Sequence, residues 1–241
     1  MLIEPYYTES NSKVLFSRKQ ASDFAKKVAD DFNPLHDIEN NKFCVPGDLL
    51  FSLVLSKYGV SEHMSFTFSG MVKDATGLKL PEPAPQFTLK GSNDKEYMGI
   101  ERRGNHSTDT TLIDNLTRSY VSFSGMTFPH LLVPLLKEKN VMINPTRPFV
   151  IYQSMIINLQ RLDCPDLELQ LDQEKTLMDV NGKRGKALLA FNLIASGEKV
   201  GFGEKHMILS GLKDFEQSGA DSLETEYTRR KDQFKLSPIQ G

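Results

Sequence analysis

An acidic and a basic side chain stand five residues apart in the segment Asp31-Phe-Asn-Pro-Leu-His36. The Asn-Pro pair between them favours a turn and limits the backbone freedom of the segment. Such a turn can bring the Asp31 carboxylate and the His36 imidazole to one water molecule, and proton transfer positioned in this way typically contributes roughly 10²–10⁴-fold to a rate. Asp and Asn before Pro are also common turn and cap residues, so a purely structural segment is the competing interpretation.

A second chemical feature lies at Pro46-Gly47-Asp48, which opens a predicted helix over residues 48–58 that ends at Gly59. This helix is apolar almost all round, and such a helix belongs inside a protein. Backbone N–H groups at its start, assisted by the helix dipole, can stabilise an oxygen that gains negative charge. Gly47 is the candidate donor for that contact.

The elements that must position these residues follow from periodicity and turn signals. Ser17 and Gln20 have capping-box spacing, and they predict a helix that ends near residues 30–32, just before the Asp31 segment. A short strand precedes this helix at residues 13–16. After Gly59 the pattern predicts strands at residues 63–72, 78–80, 86–90 and 97–102, followed by a polar linker at 104–111.

The same order of elements recurs in the second half of the chain. An amphipathic helix is predicted at residues 112–120 and an apolar helix at 128–139, bent by Pro134. Strands are predicted at 149–162, 167–178, 186–195 and 199–209. Residues 47–54 align with residues 129–136 without a gap, which indicates a faint internal repeat. The charged tail from residue 215 has a predicted helix at 222–234 and no regular structure after it.

An apolar helix followed by long antiparallel strands predicts a sheet wrapped around a helix. The fold class is therefore α+β, with two such units in tandem. The predicted organisation is an N-terminal unit at residues 1–105, a C-terminal unit at 112–212 and the charged tail at 213–241.

The segment Asp31–His36 resembles the D-x-N-P-x-H motif of MaoC-like (R)-specific enoyl-CoA hydratases and hydroxyacyl dehydratases. The resemblance covers roughly residues 13–75 and is close only over residues 31–36. It implies the hot-dog fold, in agreement with a helix wrapped by a sheet, and the recurring second half implies a double hot-dog. The second half contains no D-x-N-P-x-H motif, so at most one hydratase site per chain is expected.

The resemblance implies the hydration of a trans-2-enoyl thioester or the dehydration of its (R)-3-hydroxy form. Asp31 and His36 would be the catalytic pair, Asn33 would orient the turn or the water, and Gly47 would contact the thioester oxygen. The substrate would be an acyl-CoA or acyl-carrier-protein thioester, with coenzyme A or phosphopantetheine as part of the substrate and no metal or redox cofactor. Pro46 stands where the family has His, and Asp48 replaces an apolar residue.

Two other functions remain open. A hot-dog thioesterase would use Asp48 or His130 at a helix terminus, and a non-catalytic module would only bind the acyl thioester. Arg102 and Arg103 are weak candidates for contacting the phosphates of coenzyme A or phosphopantetheine, and a solvated strand end is the competing interpretation. The remaining histidines show no metal-binding spacing, so no metal site is predicted.

Composition restricts the remaining classes. The chain has 241 residues, of which 39% are hydrophobic and 25% charged, as in ordinary globular proteins. A net charge of -2 gives no electrostatic footprint for nucleic acid. The apolar run Leu49–Leu55 is far too short to cross a membrane, and no secretory signal is apparent at the N-terminus. Cys44 and Cys164 are not in a C-x-x-C pair, so we expect two reduced, buried thiols in a cytoplasmic protein. Because two tandem units can complete their own pseudo-dimer, we expect either a monomer of this kind or a homodimer.

Overall fold

The computed structural model describes residues 1–145 and 149–236. Five α-helices lie in these ranges: α1 (Arg18–Lys27), α2 (Gly47–Tyr58), α3 (Thr110–Gly125), α4 (Leu132–Glu138) and α5 (Gln217–Leu236). The strands of the first half are β1 (Thr8–Ser10), β2 (Lys13–Leu15), β3 (Val60–Phe68), β4 (Leu78–Lys79), β5 (Gln86–Gly91) and β6 (Glu96–Ser107). Those of the second half are β7 (Val141–Met142), β8 (Val150–Leu159), β9 (Glu168–Leu171), β10 (Leu177–Asn181), β11 (Arg184–Ala195), β12 (Glu198–Ser210) and β13 (Lys213–Asp214).

The two halves share one antiparallel sheet of 11 strands, in the order β1-β2-β4-β5-β6-β3-β8-β12-β11-β10, with β9 also paired to β11. They meet where β3 pairs with β8, with Ser65 opposite Ile156. Each half contributes antiparallel strands and one largely buried helix, α2 in the first half and α3 in the second, and this is the predicted double hot-dog fold. One chain therefore contains both units of the pair.

The first half forms as its sequence predicts. Ser17 caps α1 in a complete capping box with Gln20, and Ala21, Phe24 and Ala25 form its buried face. Helix α2 buries nine of its 12 residues, and Gly59, which follows it, has a positive φ of 71°. The strand predicted at 63–72 is shifted, because β3 begins directly after Gly59. The predicted polar linker at 104–111 is wrong, since β6 extends to Ser107 and α3 begins at Thr110.

In the second half the order of helices and strands is as predicted, except that the strand predicted at 167–178 is two strands, β9 and β10. The helix that is buried is a different one. Helix α3 buries nine of its 16 residues and packs against both β11 and α2, with the Tyr120 ring 5.9 Å from Phe191 and 4.7 Å from Phe51. Helix α4 buries only Leu132 and Leu136. The predicted apolar core helix at 128–139 is therefore wrong.

The bend predicted at Pro134 is also absent. Pro134 lies in the first turn of α4, where a missing N–H removes no helical hydrogen bond. The helical path breaks instead at Phe128, whose φ of −117° and ψ of 128° are extended, inside a π-turn that spans Thr127–Leu131.

The charged tail is a helix that packs on the rest of the protein. Helix α5 begins before the predicted start at residue 222, and it buries Ala220 and Tyr227 against the body of the protein. The last five residues of the predicted tail, 237–241, lie outside the described residues. None of the described helices is both long and apolar enough to cross a membrane.

Candidate active site

The Asp31 carboxylate is positioned by the way the chain leaves α1. Asp30 adopts a left-handed conformation with φ of 54°, which reverses the chain after the helix. The backbone N–H of Asp31 then donates to the carbonyl of Ala25 at 2.8 Å. Oδ1 of Asp31 accepts a hydrogen bond from the N–H of Asn33 at 2.9 Å, so that one oxygen is fixed and the other is left for chemistry.

Asn33 and Pro34 build the turn that carries the histidine. The Asn33 side chain accepts a hydrogen bond from the N–H of Leu35 at 3.1 Å, and Pro34 opens a short 3₁₀ turn that ends at His36. The N–H of His36 donates to the carbonyl of Asn33 at 3.0 Å. The Asn33 side chain is thus part of the hydrogen bonding of the turn that carries His36.

His36 lies in the interior, with a side chain that is 10% exposed. Its Nδ1 donates to the carbonyl of Cys44 at 2.8 Å, and the N–H of Cys44 donates back to the carbonyl of Leu35 at 2.9 Å. Burial alone would lower the pKa of His36, but the hydrogen bond to Cys44 and the charge of Asp31 outweigh it and raise this pKa to about 9. The raised pKa favours the imidazolium form of His36.

The free atoms of the two side chains face each other. Nε2 of His36 is 3.6 Å from Oδ2 of Asp31, which is longer than a direct hydrogen bond. A single oxygen atom placed beside this pair can contact both groups. The structure thus brings together the two residues that the motif predicts.

The start of α2 lies next to this pair. Gly47 is the first residue of the helix, where backbone N–H groups have no acceptor within the helix. A Cβ at this position would come within 3.1 Å of the rings of Phe68 and Tyr152, so the site is closely packed around the glycine. The carboxyl group of Asp48, the next residue, is within electrostatic range of both Asp31 and His36.

Asp48 is a buried carboxylate with an unusual environment. It is 7% exposed, and no described residue forms a hydrogen bond with its Oδ1. Burial raises the pKa of the Asp48 carboxyl group, while the charge of Lys205 and a hydrogen bond from Ser124 act in the opposite direction. The carboxylate that the sequence places beside the predicted oxyanion position is therefore inside the site, not in solvent.

The second half contributes groups that the motif did not predict. Lys205 on β12 is 4% exposed, and its Nζ donates to Oγ of Ser124 at 2.5 Å and lies 3.4 Å from Oγ1 of Thr127. The same ammonium lies 4.6 Å from the centre of the Tyr152 ring. The Tyr152 hydroxyl in turn hydrogen-bonds that of Tyr120.

A signal for Lys205 does exist in the sequence. Side chains alternate between the two sides of a strand, and Lys205 lies on the same, buried side of β12 as Gly203, Met207 and Leu209. The opposite side also carries apolar residues, Phe202 and Ile208. The sequence pattern therefore leaves the side of the strand undecided.

Helix α5 covers the motif segment. The Tyr227 hydroxyl donates to the carbonyl of Asp30 at 3.0 Å and accepts from the N–H of Phe32 at 3.4 Å. The rings of Phe32 and Phe234 are 5.7 Å apart. Charged residues of the tail also make contacts here: Arg230 pairs with Asp37 at 2.5 Å and Lys231 pairs with Asp30.

The other sequence candidates lie apart from this arrangement. Arg102 donates to the carbonyl of Tyr58 at 2.5 Å, at the end of α2 opposite to Gly47, and Arg103 is exposed on β6. A helix of this length separates its ends by about 17 Å. His130 is exposed in the π-turn.

Cys44 and Cys164 are both buried and free. Within residues 1–145 and 149–236, no three His, Cys, Asp or Glu side chains are grouped as metal ligands.

Several solved structures have a low similarity to this chain. The chain is similar to a Thermobifida fusca YX protein described as a candidate thioesterase II (TM-score 0.44, 7% identity, covering 86% of this chain and 96% of that one). It is also similar to a MaoC-like dehydratase (0.39, 8%, 86% and 98%) and to an acyl-CoA thioesterase II TesB2 from Mycobacterium marinum (0.36, 11%, 71% and 90%). No curated protein matches the sequence.

Proposed function

The chain belongs to the family described as "Protein of unknown function (DUF3581)", whose model matches residues 1–218, and we propose that it is an enzyme acting on acyl thioesters. The reaction we propose is the reversible hydration of a trans-2-enoyl thioester to the (R)-3-hydroxyacyl thioester, a hydro-lyase reaction of fatty acid metabolism. The thioester is carried by coenzyme A or by an acyl carrier protein. Two buried, free thiols fit a reducing cytoplasm as its location.

The observation that carries this proposal is the facing pair of Asp31 Oδ2 and His36 Nε2, 3.6 Å apart beside the first turn of α2. Hydration needs a base for water, an acid for the α carbon and a donor for the thioester oxygen. Asp31 and His36 supply the first two, and the N–H of Gly47 supplies the third.

The proton movements balance without a further reagent. The Asp31 carboxylate takes one proton from water while the hydroxide oxygen bonds to C3 of the substrate. The electron pair of the double bond moves to an enolate whose oxygen faces the N–H of Gly47. The His36 imidazolium then gives its Nε2 proton to C2, and a proton passes from Asp31 to His36 to restore the starting state. The raised pKa of His36 supports its role as the acid.

Thioester hydrolysis is the second candidate, and one observation favours it. Oδ1 of Asp48 is buried at the start of α2 and has no hydrogen-bond partner among the described residues, and a carboxylate there can attack a thioester carbonyl or activate water. That reaction would release a free thiol and would depend on Asp48, not on the Asp31–His36 pair.

The test measures both reactions on the full chain with 2-enoyl-CoA and with saturated acyl-CoA. Loss of enone absorbance reports hydration, and free thiol reports hydrolysis. We expect hydration that falls at least about 100-fold in both Asp31→Asn and His36→Gln. Asp94→Asn is the matched control, because this carboxylate is exposed and pairs only with Lys79 in the hairpin.

Each outcome has a defined meaning. Hydration that persists in either site variant contradicts the proposed pair. Thiol release that disappears in Asp48→Asn supports the hydrolase in its place. Acyl-CoA binding without either reaction identifies a binding module.

A further inference from the structure

A lysine from the second half of the chain lies in the interior beside the motif of the first half. Lys205 is 4% exposed, although lysine is almost never fully buried unless it is paired. Its ammonium is held by the hydroxyl of Ser124 at 2.5 Å, near that of Thr127 at 3.4 Å. Both hydroxyls belong to the end of α3 and the turn after it, so the lysine is fixed by its own half of the fold.

Asp48 is the carboxylate whose negative charge Lys205 would compensate. An enolate oxygen at the N–H of Gly47 would form next to the buried carboxylate of the following residue, and two like charges in a site of low polarity repel strongly. Asp31 adds a third negative group within electrostatic reach of Asp48. The His36 imidazolium offsets one of the carboxylates. Without a second cation, the site would oppose the charge that the reaction must create.

Ser124 connects the two charges. A serine hydroxyl can accept one hydrogen bond and donate another at the same time. Here its Oγ accepts from the Lys205 ammonium at 2.5 Å, and its interaction with the Asp48 carboxyl group acts to lower the pKa of that group. Asp48 from α2 and Asp31 from the motif segment act electrostatically on Lys205, and the Tyr152 ring from β8 lies 4.6 Å from its ammonium. The array Asp31, His36, Asp48 and Lys205 is neutral when every member is charged.

We propose that Lys205 is a positioning residue of this site, which acts through Ser124 to hold and neutralise Asp48 so that an enolate can form at Gly47. The inference rests on the proposed hydration. It assigns an essential group to the half of the chain that lacks the motif, and it makes the site one that both halves must build. It also gives Asp48 a role as a compensated charge and not as the attacking group.

The test is a double-mutant cycle between Lys205 and Asp48, using Lys205→Met, Asp48→Asn and the double variant. Methionine removes the charge with a side chain of similar length, and asparagine keeps the shape of the carboxyl group. We expect Lys205→Met to lower kcat for hydration by about 10- to 100-fold, with a smaller change in KM. Adding Asp48→Asn should restore most of that loss, because the uncompensated carboxylate is then gone. Lys199→Met is the matched control, since Lys199 is exposed on the same strand.

Ser124→Ala gives an independent variant, because it keeps both charges and removes the connection between them. It should lower kcat less than Lys205→Met does, and it keeps the test available if the lysine variant fails to fold. A double variant as slow as Lys205→Met, or full hydration by Lys205→Met, would overturn the inference.

The midpoint of urea denaturation separates this inference from the hydratase proposal. Compensation predicts that the double variant loses less stability than the sum of the two single variants. If the wild-type protein does not hydrate enoyl-CoA, the hydratase proposal is wrong, and this cycle still tests whether Lys205 compensates Asp48. Additive losses in the cycle contradict the compensation whatever the reaction.

Discussion

Oδ2 of Asp31 and Nε2 of His36 face each other at 3.6 Å, and each side chain is fixed from behind by the backbone. The N–H of Asn33 holds the other carboxylate oxygen, and the carbonyl of Cys44 holds the other ring nitrogen. Both contacts come from the turn segment itself or from the loop that packs on it. The orientation of the pair is therefore set locally, before any substrate is present.

The pH dependence of stability should report the buried imidazolium. The pKa of His36 is about 9 in the folded protein, against 6.5 for an ordinary histidine, so the stabilisation is complete below about pH 6.5 and is lost as the pH rises through 9. We expect the difference in free energy of unfolding between wild type and His36→Gln to shrink by about 3 kcal/mol between pH 6 and pH 10. Urea denaturation at several pH values measures it. A difference for His36→Gln that stays constant with pH would contradict the prediction.

Replacing Asn33 should affect the reaction more than the fold. Asn33→Ala removes the acceptor for the N–H of Leu35 and should cost about 1 kcal/mol of stability, as the loss of a cap does. Because the turn carries His36, we expect kcat for hydration to fall by about tenfold or more. Asn93→Ala is the control, since its side chain accepts from the N–H of Lys95 in a distant turn. It should lose similar stability and keep its activity; equal activity losses in both variants would argue against a positioning role.

Gly125 is required by a close backbone approach at the end of α3. A Cβ there would lie 1.5 Å from the carbonyl oxygen of Ala29, just ahead of the motif. Gly125→Ala must push α3 and this segment apart, and we expect a loss of at least about 2 kcal/mol together with weakened hydration. A Cβ at Gly99 on β6 would meet no atom within 4 Å, so Gly99→Ala should be nearly neutral. Chemical denaturation compares the two, and similar stabilities would show that the close approach is wrong.

Two adjacent arginines on α5 should behave differently. Both arginines pair with Glu226 on their own helix, but Arg230 also pairs with Asp37 beside the motif. Arg230→Gln should loosen α5 and speed its amide hydrogen exchange by several-fold, in line with a partly exposed ion pair of at most about 1 kcal/mol. Arg229→Gln should leave the amide hydrogen exchange of Asp30 and Phe32 unchanged. Added salt should reduce the difference between Arg230→Gln and wild type, and identical exchange in all three proteins would contradict this role of Arg230.

The sequence predicts well those parts of the fold that depend on neighbours along the chain. The capping box of Ser17 and Gln20, the turn through Asn33 and Pro34 and the buried helix before Gly59 all form as expected. Each depends on contacts within a few residues. The motif pair was predictable for the same reason.

Features that depend on distant contacts were harder to predict. Residues 128–136 are richer in leucine than α3, yet α3 is the buried helix. Polar groups of α3 have hydrogen-bond partners in distant parts of the chain, as Ser119 has in the carbonyl of Leu167. Lys205 meets Ser124 from 81 residues away, and Tyr227 meets Asp30 from 197 residues away. Periodicity carries no information on such pairings. It therefore predicts neither that α5 packs on the motif segment nor that Lys205 is buried near Asp48.

The antiparallel seam between β3 and β8 has one more consequence. In a dimer of two identical subunits, symmetry would repeat every substitution, so a lysine introduced in one site would also appear in the second, equivalent site. Covalent fusion removes that duplication. Each lobe can then specialise, one holding the acids and the imidazole and the other holding the ammonium, while the shared seam keeps the complementary parts in register.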